Sequence, residues 1–505
     1  MIVCSKCGTE LEEGQKFCFE CGTPAPQLKK CIKCGAELDP KMKFCPECGA
    51  KQDEESKTKK KKTASKEGKG KTEEPKIQGN ASDYSFDELF EMEHDSHNAQ
   101  VQFFISEKYK EQRNYEKSFE WAKKSADQKN PDGIACLGWH YLYGNGLLCD
   151  RKRGMDLINE SIKNGESAYG QNLLGQLYES GRGVEKNYPE AISWYTKSAE
   201  QGNPKAQYNL GRIYRIGISV KIDYPVALFW YKKSAGQGNA FAQYNIGEMY
   251  ENGLGVEQND SEAFSWYKKA AENGCWLAQN RVGNILYVKE KNYSEAFLWY
   301  RKAALQGYSD AQTNLGVCYE HGDGVEQSYT EAIHWYKKAA IQGNSYSQCQ
   351  LGILYENGRG AEKDCSEAIS WYKKAAEQGS SYSQWRLGII YEYGLGVERS
   401  FSSAFSWFKK AAEQGVADAQ FQLGYLYDAG AGVGQSYSSA LSWYQKAADQ
   451  GHAKAQNNLG YLYSHGLGVE QNYDTALFWY KKAAEQGNAD ARDNYSDLYN
   501  SIYGL

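Results

Sequence analysis

Histidine is scarce in this chain: seven residues in 505, scattered so that no base, nucleophile and orienting group fall together. His94 and His97 are spaced like a ligand pair, but no further ligand stands near them. No apolar run approaches the ~20 residues of a membrane-spanning helix. No apolar core segment separates Met1 from the first cysteines, so no secretory leader is expected and the chain reads as cytoplasmic. A charge excess is missing too: the formal net charge of −5 gives no hint of a nucleic-acid coat. Six of the fourteen cysteines (Cys136, Cys149, Cys275, Cys318, Cys349, Cys365) recur at no fixed interval, which argues against a disulfide framework. Proline is rare at nine residues, against 40 tyrosines and 13 tryptophans. An average skewed in this way marks a duplicated unit.

The remaining eight cysteines are strictly placed. Cys4, Cys7, Cys18 and Cys21 form two C-x2-C-G knuckles ten residues apart, and Cys31, Cys34, Cys45 and Cys48 repeat them, each displaced by 27. Thiolates at this spacing share one tetrahedral ion, and the glycine after each pair fits the turn that aims backbone amides at sulfur. About 50 residues bury too little core to fold alone, so metal must supply folding free energy, on the order of 10–16 kcal/mol per site. The expected cofactor is zinc, two ions in all, with rubredoxin-like iron as the alternative. Pairing within each copy is the simpler arrangement; pairing across copies also satisfies the pattern. The ten residues between knuckles suffice for a short β-hairpin. This stretch resembles the double zinc ribbon, which implies metal ligation by these eight cysteines and little else.

Residues 51–98 read as a linker and lead-in. Up to residue 82 they are rich in Lys, Glu, Ser, Thr and Gly and hold no aromatic residue, so they cannot offset the entropy of ordering. The run Lys59 to Lys62 has acids on either side and reads as a solvated tether. Two readings fit the acidic, apolar stretch Tyr84 to Met92: a docking peptide, or a frayed helical lead-in.

From about residue 99 to 505 the chain repeats. Trp194, Trp230, Trp266, Trp299, Trp335, Trp371, Trp407, Trp443 and Trp479 recur every 36 residues, with one interval of 33, and Trp121 and Leu157 stand in the same register earlier. With 100° per residue from Ala227, the residues Leu228, Trp230, Tyr231, Ser234 and Ala235 share one arc and Lys232 and Lys233 lie opposite. That is an amphipathic second helix. In the first helix Ala206, Leu210, Ile213 and Tyr214 form the buried stripe, and Gly211 admits a close neighbour. One such hairpin cannot bury its aromatic face alone, whereas a stack of them can. The expected fold is an all-α solenoid, a right-handed superhelix of about eleven α-hairpins with a closing half-repeat, preceded by the small zinc ribbons.

The L-G-x-x-Y, G-x-G-V and A-x-x-W-Y-x-K-A-A signatures resemble the Sel-one-like repeat (SLR), a relative of the tetratricopeptide repeat. The resemblance implies an adaptor that holds protein partners or peptides. The alternative is an adaptor that contacts RNA or DNA through the ribbons and the lysine-rich linker. An enzyme is not expected. Ser265, Ser370 and Ser406 each begin an S-x-x-K, but a single nucleophile would not recur three times at one repeat position, and no S-D-N or K-T-G accompanies them. Gly430 to Gly434 is a repeat loop and not a phosphate loop. The short copy, with Tyr287-Val288-Lys289-Glu290 in place of a glycine-rich loop, should turn more tightly.

Candidate binding residues stand at the third and seventh positions of the A-Q-x-x-L-G-x motif, away from the buried stripe. In the later copies these become apolar: Cys349 with Ile353, Trp385 with Ile389, Phe421 with Tyr425, and Tyr461. Either they line a groove for a peptide, or they pack between adjacent first helices. For the ribbons, a fragment of residues 1–50 is expected to bind two metal ions. Cys18→Ser should remove one and leave the other, as read by metal analysis; loss of both ions together would establish pairing across the copies.

Overall fold

The computed structural model describes residues 84–163 and 167–504, together with four short strands near the N-terminus. Those strands form two antiparallel pairs: Ile2–Val3 with Glu10–Leu11, and Lys29–Lys30 with Glu37–Leu38. The second pair repeats the first at the same 27-residue displacement as the cysteines. Each hairpin brackets the first knuckle of its copy, rather than lying wholly between the two knuckles as the spacing suggests. The eight cysteines themselves, and the linker up to residue 83, lie outside the described residues.

The rest is helix, most of it in 13-residue segments. Among the described residues, one leading helix (Phe86–Ser96), eleven helical pairs and one closing helix (Ala489–Tyr503) follow in order. They divide into two compact units, residues 1–263 and 264–505.

In the first unit the leading helix is neither frayed nor free. Ser85 and Glu88 close a capping box at its start, and Leu89 and Phe90 are buried. Phe90 meets Trp121 edge-on at 5.7 Å and Phe86 meets Tyr109 at 4.9 Å. The stretch is thus an end cap on the first pair, Ala99–Glu111 and Tyr115–Asp127, and its apolar residues are used in packing.

The pairs owe their form to a few recurring contacts. Second helices start at an Asn, Asp or Ser whose side chain accepts from the backbone three residues on, as Asn187 does from Glu190 N–H at 3.1 Å. Most first helices stop at a left-handed glycine such as Gly430, and two residues later Gly432, also left-handed, lies against the Phe401 backbone of the preceding repeat. Where this chain lacks the second glycine, Ser219 adopts the left-handed conformation instead.

The ring of the second helix rests on a glycine of the first. Tyr231 on Gly211 and Tyr444 on Gly424 are two instances; a Cβ on those glycines would lie 2.5 Å and 2.7 Å from the ring. The tyrosine is completely buried, while the register tryptophan beside it ranges from half-covered, as Trp443, to buried, as Trp335, and carries a lysine across its face, as Lys446 lies 3.9 Å from the centre of Trp443. The A-Q glutamine is buried as well. Gln420 donates to Ala412 O of the preceding repeat at 3.1 Å and accepts from Gln450 of its own repeat at 2.8 Å. The same pair of bonds recurs at Gln207, Gln348, Gln384 and Gln456, stitching each repeat to its predecessor within a unit.

The short copy turns through a π-helical segment, Leu286–Glu290, with Lys291 left-handed and Asn292 N–H reaching back to Leu286 O at 2.9 Å. The tighter turn expected at 286–293 is therefore a widened last turn that runs directly into the next cap.

Two glycine replacements separate close approach from helix propensity. Gly424→Ala should destabilise by ~1–3 kcal/mol, because the methyl must displace the Tyr444 ring. Gly236→Ala, at the end of a helix with nothing within 4 Å of the added carbon, should stabilise by about 0.5–1 kcal/mol. Denaturant midpoints of the full chain read both.

Candidate partner-binding surface

The seven candidate residues all lie in the second unit, on first helices Ser345–Asn357, Ser381–Tyr393, Ala417–Ala429 and Ala453–His465. The helix period sets the third and seventh motif positions beside, rather than on, the core stripe. Cys349 and Ile353 are half-buried and pack against the cluster of Leu351, Tyr372 and Ala376. Trp385 and Ile389 pack likewise against Ala404, Phe408 and Leu423, and Phe421 against Ala440, Tyr444 and Leu459. Tyr425 and Tyr461 are different: each is 45% exposed. Five of the residues wedge adjacent helices together, and two tyrosines face out.

A cleft of about 300 Å³ opens on this face, lined by Trp385, Asp418, Phe421, Gln422, His452, Ala453 and Lys454. Phe421 stacks on His452 at 4.7 Å. His452 caps its helix through Nδ1, which accepts from Ala455 N–H at 3.1 Å, leaving Nε2–H to face Asp418 at 3.3 Å. Burial lowers the His452 pKa and Asp418 partly opposes that, so the ring is neutral at pH 7. Trp385 and Phe421 were legible in the sequence. Asp418, His452 and Lys454 were not, because their repeat positions hold a different kind of residue in each copy: the position of Asp418 and Lys454 is Tyr346 and Tyr382 earlier.

Several first helices carry a carboxylate near their end, and its company varies. Tyr372 Oη donates to Glu356 at 2.9 Å, and Arg386 Nε reaches both its oxygens at 3.0 and 2.9 Å. Tyr336 and Tyr444 likewise donate to Glu320 at 2.7 Å and Asp428 at 3.2 Å. At the next copy after Glu356 the ring is Phe408, which has no hydroxyl. Glu392 is 5% exposed there, and its Oε2 has no hydrogen-bond partner in the protein. Burial raises its pKa, with Arg399 pulling the other way.

A polar cluster that the sequence did not reveal lies in the first unit. His140 Nε2 is 2.9 Å from Ser118 Oγ and its Nδ1 is 2.8 Å from Asn145 O, while Cys136 contacts Ser106 and Glu107. Burial would raise the Glu107 pKa, but Lys110 and Lys205 hold it well below the usual carboxylate range. Burial pushes the Cys136 thiol up to about 11 and the His140 imidazole down to about 4. Ser118, Cys136 and His140 are wholly buried, so the network is neutral at its serine–histidine end and closed to any substrate. The S-x-x-K serines Ser370 and Ser406 sit exposed on second helices.

Ten segments match the family described as Sel1 repeat: residues 109–130, and nine that run without a break from 168 to 488. Residues 4–49 match the family described as double zinc ribbon. Among known structures, the chain is 33% identical to a protective antigen present in uropathogenic Escherichia coli strains that displays an SLR fold, with 83% of this chain and 91% of that one covered and a TM-score of 0.63. It is 34% identical to a Sel1 repeat protein from Oxalobacter formigenes, with 61% and 90% covered and a TM-score of 0.47. None of the curated proteins compared with the chain matches it.

The solitary carboxyl gives a measurable consequence. Phe408→Tyr should supply the missing hydroxyl and stabilise the chain by about 1 kcal/mol at pH 7. Because Glu392 holds its proton more tightly when folded, its contribution favours the fold at low pH. That contribution is lost as pH rises from the usual carboxylate range through the raised value. Glu392→Gln should erase this part of the pH profile and raise the midpoint at pH 7; denaturant titrations between pH 4 and 7 decide it.

Proposed function

The chain belongs to the Sel1 repeat family, whose members act in general as protein-interaction scaffolds, and from that premise we propose that it is a non-enzymatic scaffold that binds a protein partner on the first-helix face of its later repeats. The observation that carries this reading is the cleft at Trp385, Phe421 and His452 with half-exposed Tyr425 and Tyr461 on the same row of helices. Aromatic side chains on a rigid frame are the usual anchors of protein contacts. In this reading Trp385, Phe421, Cys349, Ile353 and Ile389 shape the surface, and Tyr425 and Tyr461 contribute contact energy. No helix among the described residues is long and apolar enough to cross a membrane.

The match to a double zinc ribbon supports zinc binding near the N-terminus, and the donor set suits it: eight cysteines in four knuckles, with a short hairpin bracketing the first knuckle of each copy. Two ions held by Cys4, Cys7, Cys18 and Cys21, and by Cys31, Cys34, Cys45 and Cys48, would make residues 1–50 an accessory docking module. Residues 51–98 would tether it to the 99–505 solenoid in the cytoplasm, with the helix Phe86–Ser96 belonging to the solenoid side of that border. No observation favours contact with nucleic acid.

The full chain carrying Tyr425→Ala and Tyr461→Ala tests the reading, because each side chain is about half in solvent. Affinity for a partner recovered with the wild-type chain should fall by ~2–4 kcal/mol, with stability changed by about 0.5 kcal/mol or less. Undiminished affinity would place the partner elsewhere. Trp385→Ala is the poorer probe, since its ring packs against Ala404 and Phe408 and its loss would lower stability as well.

A further inference from the structure

We infer that the first-helix face around Glu392 receives a guanidinium group, so that the partner segment recognised there carries an arginine. The inference rests on the docking reading above and specifies its anchor. Among the described residues, three buried side-chain atoms have no hydrogen-bond partner in the protein: Arg215 Nε, Trp385 Nε1 and Glu392 Oε2. The last two belong to one helix, Ser381–Tyr393, and stand seven residues apart, which sets them on one face. Buried polar groups are nearly always paired, and a carboxylate left without a partner is costly.

The preceding repeat shows what such a carboxylate is built to hold. Glu356 takes a hydroxyl from Tyr372 and a two-pronged grip from Arg386. One repeat on, the same three places hold Glu392, Phe408 and Gln422. Both partners are gone, yet the carboxyl is kept and is 5% exposed; Arg399 acts on it through its charge, but its Nε donates at 2.8 Å to the Glu392 backbone carbonyl and leaves Oε2 unpaired. Gln422 forms part of the cleft wall at the register from which Arg386 reaches Glu356. The other walls include the rings of Trp385 and Phe421, with the 67%-exposed Asp418 side chain at the rim. Aromatic faces and acids together suit a planar cation, which stacks on the rings while its fork pairs with carboxylate. Lysine, a compact point charge, cannot reproduce that fork. Lys454, the cation in the wall, stands one repeat further along and is exposed to solvent.

The test uses the full chain labelled with nitrogen-15 at tryptophan. The Trp385 indole resonance is assigned by its absence in Trp385→Phe. The probes are the peptide acetyl-Gly-Gly-Arg-Gly-Gly-amide and its neutral isostere with citrulline for arginine. The arginine peptide should move the Trp385 resonance saturably, and the citrulline peptide should not. Glu392→Gln should weaken the arginine peptide at least tenfold. Gln422→Arg, which fills the place from within the chain, should abolish the response while raising the melting temperature, so that lost binding is not mistaken for lost folding. Equal movement with both peptides, no movement with either, or an unchanged response in Gln422→Arg would overturn the inference. A partner that depends on Tyr425 and Tyr461 but binds Gln422→Arg as tightly as wild type would also overturn it, and would leave the docking reading standing.

Discussion

Every regular repeat depends on one contact, the flat ring of the second helix laid on the bare backbone of the first. Gly211 under Tyr231, Gly352 under Tyr372 and Gly460 under Tyr480 leave no room for even a methyl group. Helices that approach this closely need no large aliphatic core, which is why the buried positions around the ring are so often alanine, as at Ala375, Ala411 and Ala447. The ring imposes a second condition. Its hydroxyl is carried inside, where an unpaired donor is expensive, so an acceptor is needed beside it, and in several repeats that acceptor stands sixteen residues upstream. Glu179, Glu320, Glu356 and Asp428 fill that place. A contact chosen for packing thus plants a row of carboxylates at the ends of the first helices.

The row links the frame to its surface. Where the tyrosine and an arginine both meet the carboxylate, as at Glu356, the position is closed and serves stability. Where phenylalanine and glutamine replace them, as around Glu392, the same carboxylate remains with an unpaired oxygen, and Gln422, in the place of the arginine, lines a cleft. Neighbouring repeats therefore have the same backbone and different chemistry, and a scaffold gains selectivity from such local departures without altering its fold.

How far the sequence was legible follows from periodicity. The 36-residue interval, the amphipathic arc around Ala227 and Tyr231 and the close approach at Gly211 could all be read because each recurs nine times or nearly so. The glutamine of the A-Q motif recurs as well, but hydropathy treats it as a surface residue. Its role appears only when the carbonyl of the preceding repeat and the second glutamine are brought beside it. Non-repeating features were harder still. The helix Phe86–Ser96 has no counterpart to compare with, and its few apolar residues read as lead-in until Leu89 and Phe90 are seen under Trp121. The buried Ser118–His140–Cys136 cluster arises in the two least regular repeats, where no period points to it. Of the candidate surface, the positions could be read from helix geometry, but the division between wedges such as Trp385 and outward residues such as Tyr425 depends on the shape of the neighbours.

The irregular pairs show what happens to the contact when the ring is absent. In the second pair the glycine persists as Gly138 and the ring register holds Ile158, smaller than tyrosine but still wholly buried, with Gly154 four residues before it easing the same contact. In the first pair both partners change. The register of the glycine holds Ser106 and that of the ring holds Ala122, both fully buried, so bulk added on one side is removed from the other. Ser106 then uses its hydroxyl on Ser118 O at 2.7 Å, a bond that a glycine could not make. The closing helix, Ala489–Tyr503, carries Ser496 at the same place, on a helix whose side chains other than Ala491 are not buried. Where the glycine is lost the ring is lost too, and the first pair and the closing helix rely on hydrogen bonds or on an end of the stack rather than on the close approach seen at Gly211, Gly352 and Gly460.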